Sequence, residues 1–199
     1  AQSEPMPVAF KLFRDSTALT PAMKQRIHKE SQIGLQLDHP HLIQFHGLLE
    51  IPRRGMALVL EFAPGGSLRT VLSDTENHPT LSWSLRLRWL VGISQGVAKL
   101  HSLTPQPVIH RDLKAANVLL CGRELATAVP KVCDFGVATI IQQTAASVTS
   151  MGSGKGNAGT LAWKAPEVFG GKVSPASDIF ALAIIDFEIV TRQIPWEGV

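Results

Sequence analysis

The chain has 199 residues, with Lys+Arg 19 against Asp+Glu 16 and a formal charge of +3. At 45% apolar and 18% charged residues it can bury a sizeable core, which excludes a disordered segment. The slight positive excess comes with no basic run and no aromatic–basic stripe, so nucleic acid is not an expected partner. The two cysteines, Cys121 and Cys133, make neither a disulfide framework nor a zinc site, and two buried free thiols in a reducing compartment are expected. Ala1 to Pro7 is polar and proline-rich, without the apolar core of a signal peptide. The most apolar stretch, Ile179 to Val190, is too short to span a bilayer and is interrupted by Asp186 and Glu188. The expected location is therefore the cytoplasm, with no membrane segment in these residues.

No repeat period is visible. Pro7 to Phe13 is short, apolar and aromatic and predicts a strand. Thr20-Pro21 suits a helix start, and Met23, Ile27, Ile33 and Leu37 recur at roughly helical spacing, predicting a helix from Pro21 to Leu37. His39-Pro40 stops it. Two strands follow, Leu42 to Leu49 and Met56 to Phe62, around a turn at Pro52 to Gly55. Ala63-Pro64-Gly65-Gly66-Ser67 is a joint across which the pattern turns mainly helical. Ser82 is a plausible N-cap for a long helix, Trp83 to Leu103, with Leu85, Trp89, Ile93 and Leu100 on its buried face. Short strands are expected at Val118-Leu119-Leu120 and Lys131-Val132. Gly136 to Gly159 reads as a long Thr/Ser/Gly-rich loop, a feature usually tied to function. Ser174-Pro175 opens a last helix to Thr191, apolar nearly all round and so expected to be buried.

The residues that point to chemistry come in a fixed order. Lys11 ends Val8-Ala9-Phe10-Lys11, and His110-Arg111-Asp112-Leu113-Lys114-Ala115-Ala116-Asn117 follows the long helix. Asp134-Phe135-Gly136 and then Ala165-Pro166-Glu167 complete the series. Each alone is a weak signal; all of them in this order, each on the expected element, are specific. Over essentially its whole length the chain resembles a eukaryotic protein kinase catalytic domain.

That resemblance implies an α+β, bilobal fold: residues 1–63 as a partial N-lobe and hinge, residues 64–199 as a partial, mainly helical C-lobe. It implies transfer of the γ-phosphate of ATP, with Mg2+, to a protein substrate. Phosphoryl transfer needs charge positioned and neutralised more than it needs covalent catalysis. By resemblance, Asp112 is the base or hydroxyl-orienting carboxylate, and Lys114 balances charge on the moving phosphoryl. Asn117 and Asp134 hold the magnesium, a hard cation suited to oxygen ligands. Lys11 grips the α- and β-phosphates, fixed by Glu30 on the first helix. Glu61-Phe62-Ala63 is the hinge, Leu60 the gatekeeper, and Ala9 and Leu119 sandwich the adenine. His110 packs behind the site rather than acting as acid or base, and Cys133 borders the pocket. Arg111 matches an arginine able to pair with a phosphate on the activation loop, where Thr144, Ser147, Thr149, Ser150 and Ser153 are candidate sites. Lys114, Thr160, Trp163, the joint Glu61 to Leu68 and Ser177-Asp178-Ile179-Phe180 look most like the tyrosine-kinase-like group, whose members mostly modify Ser and Thr.

The sequence also departs from the family. No glycine precedes Lys11, and the residues end at Val199 soon after Pro195-Trp196, so the resemblance implies a core fragment whose last helix exposes surface. Activity of the fragment alone is expected to be low, since phosphate alignment is incomplete. Gly34 stands where a large apolar residue is usual and is expected to leave a gap, with Leu35 compensating. Asp186 needs a partner or a wet face. A pseudokinase scaffold is the alternative function, and the presence of Lys11, Asp112 and Asp134 favours the enzyme over it.

Overall fold

The computed structural model describes residues 6–12, 20–51, 55–105, 107–134 and 161–196; in the first helix the side chains of Ala22, Met23, Arg26, Lys29, Glu30 and Ile33 lie outside the description. The long loop from Gly136 to Gly159, Phe135, Thr160 and the candidate phosphorylation sites also lie outside the described residues.

The first half is a three-stranded antiparallel sheet with one helix. Strand β1 (Val8–Leu12), helix α1 (Pro21–Gln36), β2 (Phe45–Ile51) and β3 (Gly55–Glu61) follow one another, and the sheet order is β1-β3-β2. Central β3 reads as a continuous apolar run because both its faces are covered: Met56, Ala57, Leu58 and Leu60 are buried. Sequence-read boundaries hold to within a residue or two, except that β2 begins at Phe45 and Leu42 forms an isolated parallel bridge to Val132 instead.

Gly34 corrects an expectation. A Cβ there would lie 2.9 Å from two atoms of the Phe45 ring, so the ring of β2 already fills the space that the missing side chain was expected to leave. Leu35, half exposed, compensates for nothing.

After the joint, the chain forms α2 (Leu68–Ser73), a helix absent from the sequence reading, then α3 (Trp83–His101), a 3-10 turn (Ala115–Asn117), the hairpin β4 (Val118–Cys121) and β5 (Val129–Val132), α4 (Pro166–Phe169) and α5 (Pro175–Thr191). Ser67 caps α2 by accepting from Thr70 N–H, and Ser82 caps α3 by accepting from Leu85 N–H. Leu85, Trp89, Ile93, Val97 and Leu100 bury the predicted face of α3. Gly96 lets the chain at His41 lie directly on α3, since a Cβ there would meet the His41 carbonyl oxygen at 2.5 Å. His41 O then accepts from Val132 N–H at 2.9 Å, tying this loop to β5.

Helix α5 starts with a capping box between Ser174 and Ser177 and a proline in its first turn. It ends at Arg192, which takes a left-handed cap (φ 62°) while its guanidinium donates to carbonyls around the end of α2, including Leu72 O at 3.1 Å and His78 O at 2.6 Å. Helix α5 is buried on one side and exposes apolar surface on the other, as expected for these residues: Ile179, Phe187 and Val190 are 52, 42 and 41% exposed. No helix among the described residues is long and apolar enough to cross a membrane.

Candidate active site

β1 brings Ala9 and Lys11 to one face, two residues apart. They pair in register with Leu60 and Leu58 of β3. Lys11 Nζ lies 2.7 Å from Asp134 Oδ1, an ion pair that joins β1 to the residue just beyond the β4–β5 hairpin. Glu30 is on α1, but its side chain lies outside the described residues, and the described partner of Lys11 is Asp134.

The first residues of the loop after α3 are held by one buried carboxylate. Asp178 of α5, 1% exposed, accepts from His110 N–H at 2.7 Å and from Arg111 N–H at 2.9 Å. Its Oδ2 also lies 2.8 Å from His101 Nε2. Arg111 has φ 69°, a left-handed conformation that costs a non-glycine residue about 1–2 kcal/mol. The two amide bonds to Asp178 hold that kink, and the kink sets where Asp112 points.

Two side chains converge on Asp112. Lys114 Nζ lies 2.9 Å from Asp112 Oδ2. Asn117 Nδ2 donates to Asp112 O at 2.7 Å and to Oδ2 at 3.0 Å. With its nitrogen so committed, the Asn117 amide has its oxygen left as a ligand atom for a hard cation. Asn117 O in turn accepts from Cys133 N–H at 2.9 Å, which fastens the loop to the residue preceding Asp134. Asp134 has φ 64°.

The His110 ring is fully buried and sits behind this loop. Cys133 O, 2.8 Å from Nε2, can only accept, so Nε2 carries the proton; Nδ1 accepts from Asp112 N–H at 3.3 Å. Burial holds the imidazole below its ordinary value, in keeping with that neutral tautomer. His110 is a spacer between Asp112 and Cys133, as expected from the sequence.

Cys133 is buried, and burial followed by the Asp134 charge pushes its thiol far up. Cys121 is half-buried, and burial with the nearby Glu61 pushes its thiol up to about 12. Both are free, and neither is a nucleophile near neutral pH.

Around the hinge, Leu60 is buried while Ala9, Ala63 and Leu119 are partly buried against the core. Ser67 bridges to Leu119, which keeps the joint close to β4. Arg111 is exposed.

No group of three or more His, Cys, Asp or Glu among the described residues could hold a metal. Asp134 and Asn117 each carry an oxygen that could serve as a cation ligand. That suits magnesium, which keeps several waters and shares its coordination with phosphates.

The sequence reading missed the residues that fasten the site. Glu188 of α5 is fully buried. Its Oε2 pairs with Arg69 Nη1 of α2 at 2.8 Å, and its Oε1 accepts from Trp163 Nε1 at 2.7 Å and from Ala115 N–H at 3.4 Å. In the sequence Asp178 stands out only as part of Ser177-Asp178-Ile179-Phe180. A signal existed: Asp178 and Glu188 lie on the same face as Ala181 and Ile185 of an apolar helix, where an acid must find buried donors. Asp186, on the flank of that face, has a buried Oδ1 with no hydrogen-bond partner among the described residues, and burial raises its carboxyl above the ordinary value.

A small sheet with one helix precedes a mainly helical half, and Lys11 of the first reaches Asp134 of the second. A family model described as "Protein kinase domain" matches residues 2–199. The chain is 40% identical over 165 residues to human "Mitogen-activated protein kinase kinase kinase 7", covering 82% of this chain and 25% of that protein. It is 36% identical over 190 residues to "U-box domain-containing protein 34" of Arabidopsis thaliana (95% and 22%). It is 32% identical over 198 residues to mouse "Mitogen-activated protein kinase kinase kinase 10" (96% and 20%). The chain belongs to the protein kinase family. It spans about a quarter of the length of the curated relatives it matches.

Proposed function

We propose that this domain transfers the γ-phosphate of ATP to serine and threonine hydroxyls of protein substrates in a signalling pathway. The observation that carries the reading is the cluster at Asp112, whose carboxylate is held by Lys114 at 2.9 Å and Asn117 at 3.0 Å and is 17% exposed in its side chain. A carboxylate so placed accepts the proton of an incoming hydroxyl and aligns its oxygen. Lys114 lies close enough to balance charge on the transferred group. Lys11, paired with Asp134 at 2.7 Å, would hold the α- and β-phosphates, and Asp134 would then be available as a ligand. Asp134 and Asn117 would hold magnesium, which would supply charge neutralisation at the phosphates. Ala9 and Leu119 sandwich the adenine beneath gatekeeper Leu60, and the backbone of Glu61 and Ala63 pairs with its edge. The protein substrate lies over the groove beside Asp112 lined by Leu113, Trp163, Lys164 and Ala165.

Residues 1–63 are the N-lobe and hinge in this reading, and residues 64–199 the C-lobe. Two free thiols support a cytoplasmic setting. The relatives named as mitogen-activated protein kinase kinase kinases support a Ser/Thr kinase over a scaffold.

The test is radiolabel transfer by the full-length protein to a generic Ser/Thr substrate, with Asp112→Asn beside it. The variant is expected to lose at least about 100-fold in kcat with Mg-ATP affinity within twofold. Equal turnover in the variant, or no uptake of Mg-ATP by the wild type in calorimetry, overturns the reading.

A further inference from the structure

One carboxylate joins three segments of chain at the hinge. Glu61 ends β3 immediately before Phe62 and Ala63. Its Oε2 pairs with Lys131 Nζ of β5 at 2.8 Å and accepts from Gln44 N–H at 3.1 Å. Glu61 N–H donates back to Gln44 O at 2.9 Å. The Gln44 segment is itself stitched to β5, since Ile43 N–H donates to Val132 O at 2.9 Å. Lys131 stands opposite Leu119 in the β4–β5 register, so the two side chains leave the same face of the hairpin. The Lys131 and Glu61 side chains are 16 and 25% exposed, which shields their attraction from solvent and salt.

We infer that Lys131 is a positioning residue for the nucleotide: through Glu61 it fixes the hinge, residues 61–63, relative to the Leu119 surface of the hairpin. The inference rests on the kinase reading above, in which those two surfaces grip the adenine. Without Lys131, the hinge keeps its backbone bonds to Gln44 but loses its side-chain tie to the hairpin. The spacing between hinge and Leu119 is then no longer set in advance, and the nucleotide must order it on binding. That cost falls equally on the bound ground state and the transition state, so it raises KM and leaves kcat alone. Asp112 is fastened separately, through Asp178 and Asn117, and does not feel the change.

The experiment compares the full-length wild type with Lys131→Met, Lys131→Arg and Lys24→Met. Lys24 forms a 2.9 Å pair with Glu50 that is exposed and stays within the sheet half, so it controls for loss of a lysine pair as such. Lys131→Met is expected to raise KM for ATP about 5- to 10-fold, with kcat changed less than about twofold. Lys131→Arg keeps the charge and restores most of the affinity, and Lys24→Met changes neither constant. Hydrogen exchange without nucleotide supplies a second reading: the Gln44 amide exchanges several-fold faster in Lys131→Met. An unchanged KM in Lys131→Met, a fall in kcat at constant KM, or unaltered Gln44 exchange each overturns the inference while leaving the kinase reading intact. A wild type that takes up no Mg-ATP overturns both.

Discussion

Replacing Asp178 by asparagine tests whether a buried carboxylate shapes the catalytic loop. Asp178 accepts from His110 N–H at 2.7 Å and Arg111 N–H at 2.9 Å, and its Oδ2 lies 2.8 Å from His101 Nε2. In asparagine one acceptor becomes an NH2 group facing an N–H. If that group replaces Oδ1, the Arg111 bond is lost, and a charge-assisted bond of this kind contributes about 1.5–3 kcal/mol. The surviving bonds weaken as the charge goes, and the buried NH2 has no acceptor, bringing the total to about 3 kcal/mol. For a chain of this size that lowers Tm by about 6–12 °C. The left-handed Arg111, about 1–2 kcal/mol uphill, then has less holding it and relaxes. A displacement of Asp112 near 1 Å costs about 100-fold in rate. The expected result in the full-length protein is therefore a kcat about 30- to 100-fold lower, with ATP affinity unchanged, because the described partners of Asp178 are His101, His110 and Arg111 and none is in the nucleotide pocket. Single-turnover phosphorylation with nucleotide calorimetry separates the two quantities. A kcat within twofold of wild type, or a loss confined to ATP affinity, refutes the reasoning.

Two stability predictions follow from residues that depart from the usual pattern. Gly34→Ala gains about 1 kcal/mol of helix propensity but drives a Cβ to 2.9 Å from the Phe45 ring, an overpacking that costs about 1–3 kcal/mol. A net loss of about 1 kcal/mol in urea unfolding is expected, and a more stable variant contradicts the packing described here. Asp186→Leu is expected to stabilise the protein at pH 7 by about 1 kcal/mol, the scale of a buried polar group without a partner. The sign follows from its raised carboxyl value: the folded state holds the proton to higher pH than the unfolded chain, whose value is near 3.8. The penalty for ionisation is absent below that value and complete once pH exceeds the folded one. The gain from leucine should therefore shrink as pH falls towards 4, and a gain that is flat with pH argues against a buried charge.

Much of the site was legible because its chemistry is local. Asp112, Lys114 and Asn117 lie on one loop, and phosphoryl transfer fixes their types whatever surrounds them. Long elements were legible too, since Leu85, Trp89, Ile93 and Leu100 of α3 repeat at helical spacing. Short ones were not: α2 has six residues, fewer than two turns, and shows no period. Gly34 was misread because its neighbour is a strand residue, Phe45, whose approach depends on how α1 lies on the sheet.

The fastening carboxylates were illegible for a related reason, and they differ in kind from the chemical ones. The partners of Asp178 at the catalytic loop lie 67 and 68 residues away in sequence, Lys131 is 70 residues from Glu61, and Arg69 is 119 from Glu188. No local window contains such a pair. Each of these acids also takes more than one donor, at least one of them a backbone N–H, because taking a carboxylate out of water costs several kcal/mol and one partner does not offset it. Among the described residues the carboxylates of Asp112 and Asp134, by contrast, accept from no backbone N–H, and each has a lysine within 3 Å, Lys114 at 2.9 Å and Lys11 at 2.7 Å. A cation on a mobile stem can give way to a hydroxyl, a phosphate or a metal, whereas a backbone amide cannot. The type of donor therefore separates the acids that hold this loop in place from those left available for its chemistry.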